Sequence, residues 1–287
     1  MTTEQCYNDF LNRLTSIYEK REAVNISDWV FENITGLKGL DRSLNRNVEI
    51  DKDVVQKLDS CRHELLQHKP VQYVLNEAWF YKMKFYVNEH VLIPRPETEE
   101  LVEWIVEDVR SLKYDVRYGE FKVLEIGTGS GCIAVSIKKE LENVDVTAID
   151  VSKEALKVAI KNADAFQSEI NFLQIDFLNE SSWNSLGVYD VIVSNPPYIP
   201  ENEKEKLAKN VTEFEPAIAL FVENNNPFIF YEKIAKFARS HLKRNGKIFV
   251  EIHEEYSEEV HKFFSAHNYK TQIRKDIYRR DRMLQAT

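Results

Sequence analysis

The sequence predicts an α/β protein: a mostly parallel sheet covered by helices on both faces, preceded by a small helical domain and joined to it by a β-hairpin. Three observations carry this. From residue 121 onward, short runs of Val, Ile and Leu without strict alternation recur between helical segments, the pattern of strands buried on both faces. Residues 1–75 instead carry apolar residues at helical spacing. Between them, residues 76–93 switch to a period of two. A chain of 287 residues that is 43% hydrophobic has the length for two domains and the apolar material to give each a core.

The elements follow in order. Phe10, Leu11 and Leu14 lie at helical spacing, as do Trp29, Val30 and Ile34, before Gly36 and Gly39 interrupt. Residues 52–66, with Val54, Val55, Leu58 and Leu65 apolar, form a further helix that Pro70 stops. In the join, Trp79 and Tyr81 fall on one strand face, and Phe85 and Val87 alternate likewise. A turn near residues 82–84 makes the two a hairpin. Pro94 and Pro96 then stiffen the approach to a helix with Leu101, Ile105 and Val109 at fourfold spacing. The strands that follow are FKVLEI, VDVTAI, INFLQI, YDVIVS and GKIFVEI. The helices are CIAVSIKKEL, SKEALKVAIKNADAF with Ser152 as its cap, a long one over about 228–242, and EEVHKFFSAH. YKTQIRKDIYRRDRMLQAT supplies two closing strands. The domains expected are 1–75, a linker at 76–93, and 94–287.

Composition excludes several classes. The net charge of −9 is the wrong sign for a protein that coats duplex DNA, so no stable duplex partner is expected. No run approaches the ~18 apolar residues of a membrane span. The N-terminus, MTTEQCYNDF, holds two acids and no base, unlike a secretory or transit peptide. Cys6, Cys61 and Cys132 are widely separated, which suits reduced thiols in a cytoplasmic protein. The seven histidines form no ligand-spaced cluster, so no metal is expected.

VLEIGTGSGCIAV carries the first candidate site. Gly127-Thr128-Gly129-Ser130-Gly131 follows a strand and opens a helix, and glycines there permit a tight turn and close ligand approach. The spacing is GxGxG rather than the GxGxxG of dinucleotide sites, and no P-loop lysine follows. Asp150 ends the next strand, where a carboxylate can accept from both ribose hydroxyls. The pair indicates a nucleoside-containing cofactor without separating S-adenosylmethionine from NAD. Glu125, just before the loop, either orients it, attracts a methionyl ammonium, or is a surface acid. Asp176 and Phe177 follow the third strand, at the sheet edge where ligands bind. Asp176 can accept from an adenine amino group; Phe177 either covers the ring or packs in the core.

YDVIVSNPPYIP carries the second. A strand delivers Asn195-Pro196-Pro197-Tyr198 to the same edge. The prolines make a rigid stretch with free carbonyls. The Asn195 side-chain oxygen and the Pro196 carbonyl can each accept one N–H of an amino group attached to a π system, and Tyr198 offers a flat face for stacking.

Asn-Pro-Pro-Tyr resembles the signature of methyltransferases that act on planar amino nitrogens. Residues 69–103, VTEFEPAIALF at 211–221 and KDIYRRDRM at 275–283 narrow the resemblance to the HemK-type (PrmC) peptide chain release factor N5-glutamine methyltransferases. It covers residues 69–287 well, and 1–68 only in helical character. It implies a Rossmann-like methyltransferase sheet that uses S-adenosyl-L-methionine and leaves S-adenosyl-L-homocysteine. The target implied is the glutamine of the Gly-Gly-Gln motif in bacterial class 1 release factors, modified by a cytoplasmic monomer. By the same resemblance, Gly127 to Gly131 bind the cofactor, Asp150 its ribose and Phe177 its adenine. Asn195 and Pro196 hold the target amide, Asn195 also contacting the cofactor, Pro197 shapes the pocket and Tyr198 packs against the amide plane. The chain departs from the family at Asn76 and Lys82, commonly glycines, at His253, commonly glycine, at Phe177, commonly tryptophan, and at Asn224-Asn225-Asn226-Pro227, commonly a glycine-containing loop.

Three rivals remain. An adenine-N6 DNA methyltransferase shares the tetrapeptide, but the charge balance, the lack of an evident target-recognition domain and the Pro94-Arg95-Pro96-Glu97-Thr98 segment oppose it. A ribosomal-protein glutamine methyltransferase shares fold and chemistry but usually departs from Arg-Pro-Glu-Thr. A cofactor-binding scaffold without catalysis is opposed by the intact tetrapeptide. Arg95 and Glu97 either shape the substrate opening or form ordinary salt bridges. The last twenty residues, with six bases and two acids, either touch an acidic partner or keep a strand edge soluble.

Overall fold

Thr2 sets the start of the first helix. Its hydroxyl accepts from the Gln5 N–H while the Gln5 side chain accepts from the Thr2 N–H, which satisfies two amides that a helix start leaves unpaired. The computed structural model describes residues 1–111 and 121–287. They form two compact units, Met1–Glu77 with Ala208–Phe214, and Ala78–Leu207 with Glu215–Thr287.

The first unit holds α1 (Thr3–Leu14), α2 (Lys20–Thr35), α3 (Gly39–Leu44), α4 (Lys52–Leu66) and α5 (Val71–Leu75). Phe10, Leu14, Val30, Phe31, Leu58 and Leu65 close its core. Trp29 and Ile34 lie at the margin, and the Trp29 indole N–H donates to Glu77. Gly36 ends α2 in the left-handed conformation, as its position predicted.

The second unit opens with β1 (Ala78–Phe80) paired antiparallel to β2 (Met83–Phe85), Phe80 opposite Met83. The turn is therefore Tyr81-Lys82, earlier than the residues 82–84 that the pattern indicated. Tyr81 does not share a strand face with Trp79. Trp79 is exposed, and Ala78, Phe80 and Phe85 are the buried side chains. Both turn residues take positive φ, 49° and 62°, which a two-residue loop matched to strand twist demands. Neither is Gly, Asn or Asp, so the usual sequence signal was missing. Asn76, at φ 53°, is left-handed too. Both positions that depart from family glycine thus keep glycine's backbone. Lys82→Gly is expected to stabilise the protein by about 1 kcal/mol, since left-handed backbone costs an L-residue about 1–2 kcal/mol and glycine's entropy returns only part of the gain. A higher urea midpoint at unchanged slope would show it. A lower midpoint would mean that the Lys82 side chain contributes more than its backbone costs.

Then come α6 (Pro96–Arg110), β3 (Phe121–Ile126), α7 (Cys132–Glu140), β4 (Val144–Asp150), α8 (Lys153–Ala165), β5 (Asn171–Gln174), β6 (Tyr189–Ser194) and β7 (Ile199–Pro200). α9 (Lys209–Phe214) falls in the first unit. α10 (Ala217–Leu220), β8 (Phe221–Val222), α11 (Ile229–His241), β9 (Leu242–Glu251), α12 (Ser257–Ala266), β10 (Thr271–Lys275) and β11 (Asp281–Ala286) complete the chain. Among the described residues the main sheet has seven strands, in the order β10-β11-β9-β6-β3-β4-β5. Its pairs are parallel from β9 to β5, and the two closing strands are antiparallel. Val123, Val146 and Phe249 face α6 and α7, while Leu124, Ile192 and Val250 face the side closed by α11 and α12. Burial on both faces is why these strands show no alternation. The chain steps from β3 to β4 on one side and later to β6 on the other, so a crevice opens beyond their carboxyl ends.

The last segment's bases are largely paired at this edge. Arg274 meets Glu107, Lys275 meets Asp281, Arg280 meets Glu254, and Arg282 meets Asp276. No helix among the described residues is long and apolar enough to cross a membrane.

Candidate active site

The glycine loop fills the turn from β3 into α7. Gly127 and Gly129 take φ of 75° and 53°, and among the described residues, chain neighbours aside, no heavy atom lies within 4 Å of where a Cβ would stand on either. The loop therefore leaves open space above its backbone. Gly131 has a different reason: its Cβ would lie 3.1 Å from that of Ala159 on α8, so it serves helix packing. The Gly127 and Thr128 N–H groups donate to the Ile149 carbonyl, tying the loop to β4. The Asp150 carboxylate accepts from Gly129 N–H through Oδ2 and from Ser152 N–H through Oδ1, both at 2.9 Å.

Glu125 is not a surface acid, for only 1% of it is exposed. Its Oε2 accepts from the Thr128 hydroxyl at 2.6 Å and from the Ala134 N–H at 3.1 Å. Its Oε1 is buried with no hydrogen-bond partner among the described residues. Burial pushes the carboxyl up to about 8, the Thr128 and Ala134 bonds pull against that, and the Asp150 charge adds to it.

These groups line a cavity of about 350 Å³ at the carboxyl edge of the sheet. Glu125, Gly127, Thr128, Gly129, Ser130 and Asp150 form one wall. Asp176 and Phe177 form another; Asp176 is exposed, with its Oδ1 accepting from the Leu178 N–H. Phe177 is a core ring as well as a cavity wall, with its centroid 5.5 Å from those of Trp183 and Phe237. Asn195 and Pro197 line the cavity too, but Pro196 and Tyr198 lie outside the lining, as does Gly131.

The residues bonded around Asn195 carry no motif of their own, and one of them, Thr98, itself lines the cavity. Thr98, in the first turn of α6, accepts from Asn195 Nδ2 at 3.1 Å and donates to Glu251 Oε2 at 2.6 Å. The Tyr198 hydroxyl donates to Glu251 Oε1 at 3.1 Å, and its ring meets His253 edge-on at 5.7 Å. Burial raises the Glu251 carboxyl above the usual range, with Thr98, Arg282 and Tyr198 pulling it down and Glu97 pushing it up. Asn195 Oδ1 and the Pro196 carbonyl accept no hydrogen bond among the described residues. Arg95 pairs with Glu215 at 2.6 Å, and Glu215 also accepts from the Ile93 N–H. Both Thr98 and Glu215 stood inside segments that carried the family resemblance, without any spacing rule to mark them.

The cavity offers the carboxyl groups of Asp150 and Glu125 to a ribose and to a cation, and the unmet Asn195 side-chain oxygen to an amino group. A group with an adenosine and an ammonium tail fits those carboxyls, and the fold and site are those of an S-adenosylmethionine-dependent methyltransferase. The family described as Methyltransferase small domain matches residues 109–215. A solved methyltransferase from Pyrococcus furiosus shares the fold at TM-score 0.50 and 18% identity, over 79% of this chain and 98% of that one. The release factor glutamine methyltransferase of Flavobacterium psychrophilum is 41% identical over 96% of this chain and 95% of its own length. That of Bacteroides thetaiotaomicron is 35% identical over 95% of each. The chain belongs to the release factor glutamine methyltransferase family.

Proposed function

We propose that this protein methylates the side-chain amide nitrogen, N5, of the glutamine in the Gly-Gly-Gln motif of class 1 peptide chain release factors. It acts in the cytoplasm as a monomer, without stable binding to duplex nucleic acid or membrane. The observation that carries the reading is the pair of unmet acceptors at Asn195 and Pro196, on a loop at the cavity. S-adenosylmethionine, when bound, supplies a methyl group activated by its sulfonium. Asp150 would hold its ribose, Glu125 its ammonium, Asp176 and Phe177 its adenine.

The chain's own residues then act on the amide. An amide nitrogen is a poor nucleophile because its lone pair is delocalised. Asn195 Oδ1 and the Pro196 carbonyl would each accept one N–H and aim the nitrogen. Positive charge grows on that nitrogen as the new bond forms, so both acceptors bind the transition state more strongly than the ground state. No strong base is needed before attack, because the proton leaves afterwards. Pro197 shapes the pocket. Tyr198, held by Glu251, packs beside the amide.

The test uses purified protein, labelled S-adenosylmethionine and an unmethylated class 1 release factor, with mass spectrometry to locate the methyl. A single methyl on the Gly-Gly-Gln glutamine, absent from a factor lacking that glutamine and from duplex DNA, is expected. Label on DNA adenine or on a ribosomal protein instead would overturn the substrate.

A further inference from the structure

We infer that Thr98 and Glu251 are positioning residues that fix which end of the Asn195 amide faces the substrate. The inference rests on the reading of Asn195 as an acceptor for the target amide. A carboxamide is nearly symmetric in shape, yet its two ends are opposite in chemistry. Rotated by half a turn, Asn195 would offer an N–H to an incoming N–H, and attraction would become repulsion. Nothing in the Asn-Pro-Pro-Tyr motif itself selects one rotation.

The hydrogen bonds behind it do. Glu251 ends β9 and is 2% exposed. Each of its side-chain oxygens receives an O–H, Oε2 from Thr98 and Oε1 from Tyr198, so toward both hydroxyls it presents acceptors. The Thr98 hydroxyl has one proton, which goes to Glu251 Oε2. The Thr98 oxygen is left with lone pairs alone, so the group facing it must be a donor. Asn195 meets it with Nδ2 at 3.1 Å, which turns Oδ1 to the cavity. Donor direction is thus passed from Glu251 through Thr98 to Asn195. The other half of Glu251 is occupied by the Tyr198 hydroxyl, and its backbone carbonyl accepts from the Tyr231 hydroxyl on α11. Thr98 is itself buried, at 2% exposure. With every link satisfied by another group of the fold, the order of donors has no easy reversal.

Thr98→Val and Thr98→Ser test this. Valine keeps the volume and removes the hydroxyl; serine keeps the hydroxyl and removes a methyl. Thr98→Val is expected to lower kcat for methyl transfer to the release factor by tenfold or more, with Kd for S-adenosylmethionine within about twofold. Thr98→Ser is expected to stay within about threefold of the parent. A merely structural role gives the opposite order, with valine tolerated and serine impaired, and that order overturns the inference. A second readout needs no activity. In protein labelled at asparagine side chains, with Asn195→Asp to assign the signal, the Asn195 amide protons should be protected from solvent exchange in the parent and in Thr98→Ser, and lose protection in Thr98→Val. Equal protection in all three overturns the relay even if the release factor proves not to be the substrate. Protection lost as expected, in a parent that leaves the release factor unmethylated, upholds the relay and sinks only the substrate.

Discussion

Asn195→Ala is expected to slow methyl transfer about a thousandfold while leaving cofactor affinity within a few fold, a change of about 4 kcal/mol in the barrier. The size follows from what the side chain supplies. The Pro196 carbonyl alone would hold one N–H and leave the amide free to rotate about it. Alanine also removes the acceptor that faces growing positive charge, and deletion of one preorganised group of that kind costs roughly 10²–10³ in rate. The loss of aim adds to this. Alanine cannot replace the contact through the backbone, because the Asn195 side chain is the part that reaches Thr98 and the cavity. Single-turnover rates at saturating cofactor separate this step from binding. A rate within tenfold of the parent would remove Asn195 from the chemistry and return attention to the backbone carbonyls of the prolines. Asn195→Asp sharpens the result. It keeps an acceptor and the shape but has no N–H for Thr98, so it should fall between alanine and the parent.

The parts of this site that the sequence displayed are contiguous ones. Gly127 to Gly131 sit together because a turn needs them together, and Asn195 to Tyr198 sit together because a rigid loop does. Strands buried on both faces were legible for a similar reason: burial writes itself into consecutive residues such as Val191, Ile192 and Val193. What escaped reading is built across the fold. Thr98 and Glu251 are 153 positions apart and meet only because β9 lies beside β6 and α6 packs on β9. Arg95 and Glu215 are 120 apart. Their residue types carry no periodic mark, and each has an ordinary alternative as a cap or a surface pair. Gly131 was visible but its reason was not, since the contact that forbids a Cβ comes from Ala159 on another helix. The hairpin shows the converse. Tyr81 and Lys82 carry the backbone of a glycine turn without its residues, so the alternation was read past the turn itself.

Glu125→Gln is expected to weaken cofactor binding about a hundredfold at pH 8 and to erase part of its pH dependence, because a charge-assisted hydrogen bond is worth about 1.5–3 kcal/mol. In the protein without ligand the carboxyl stands at about 8, raised by burial. An ammonium set against Oε1 favours the ionised form, so binding lowers that value and expels a proton wherever the free carboxyl is still protonated. The sign follows. Affinity rises as pH climbs toward 8, by up to about tenfold per unit, and stops rising on this account above it. Glutamine does not ionise, so this limb disappears. Glutamine is also a fair mimic of the uncharged carboxyl, because its oxygen can keep the bonds from Thr128 and Ala134, and the variant should fold. Its Nε2 would then occupy the place of Oε1 and oppose the ammonium. The amino group of the ligand titrates near 8 as well, roughly in the range of an α-amine. The readout is therefore the difference between parent and variant at each pH, with the same ligand. Calorimetry in two buffers of unlike ionisation enthalpy counts the protons, and the parent should release up to about one more than the variant near pH 7. Parallel affinity curves with equal proton release would detach Glu125 from the cofactor's tail and leave its role as a brace for the glycine loop.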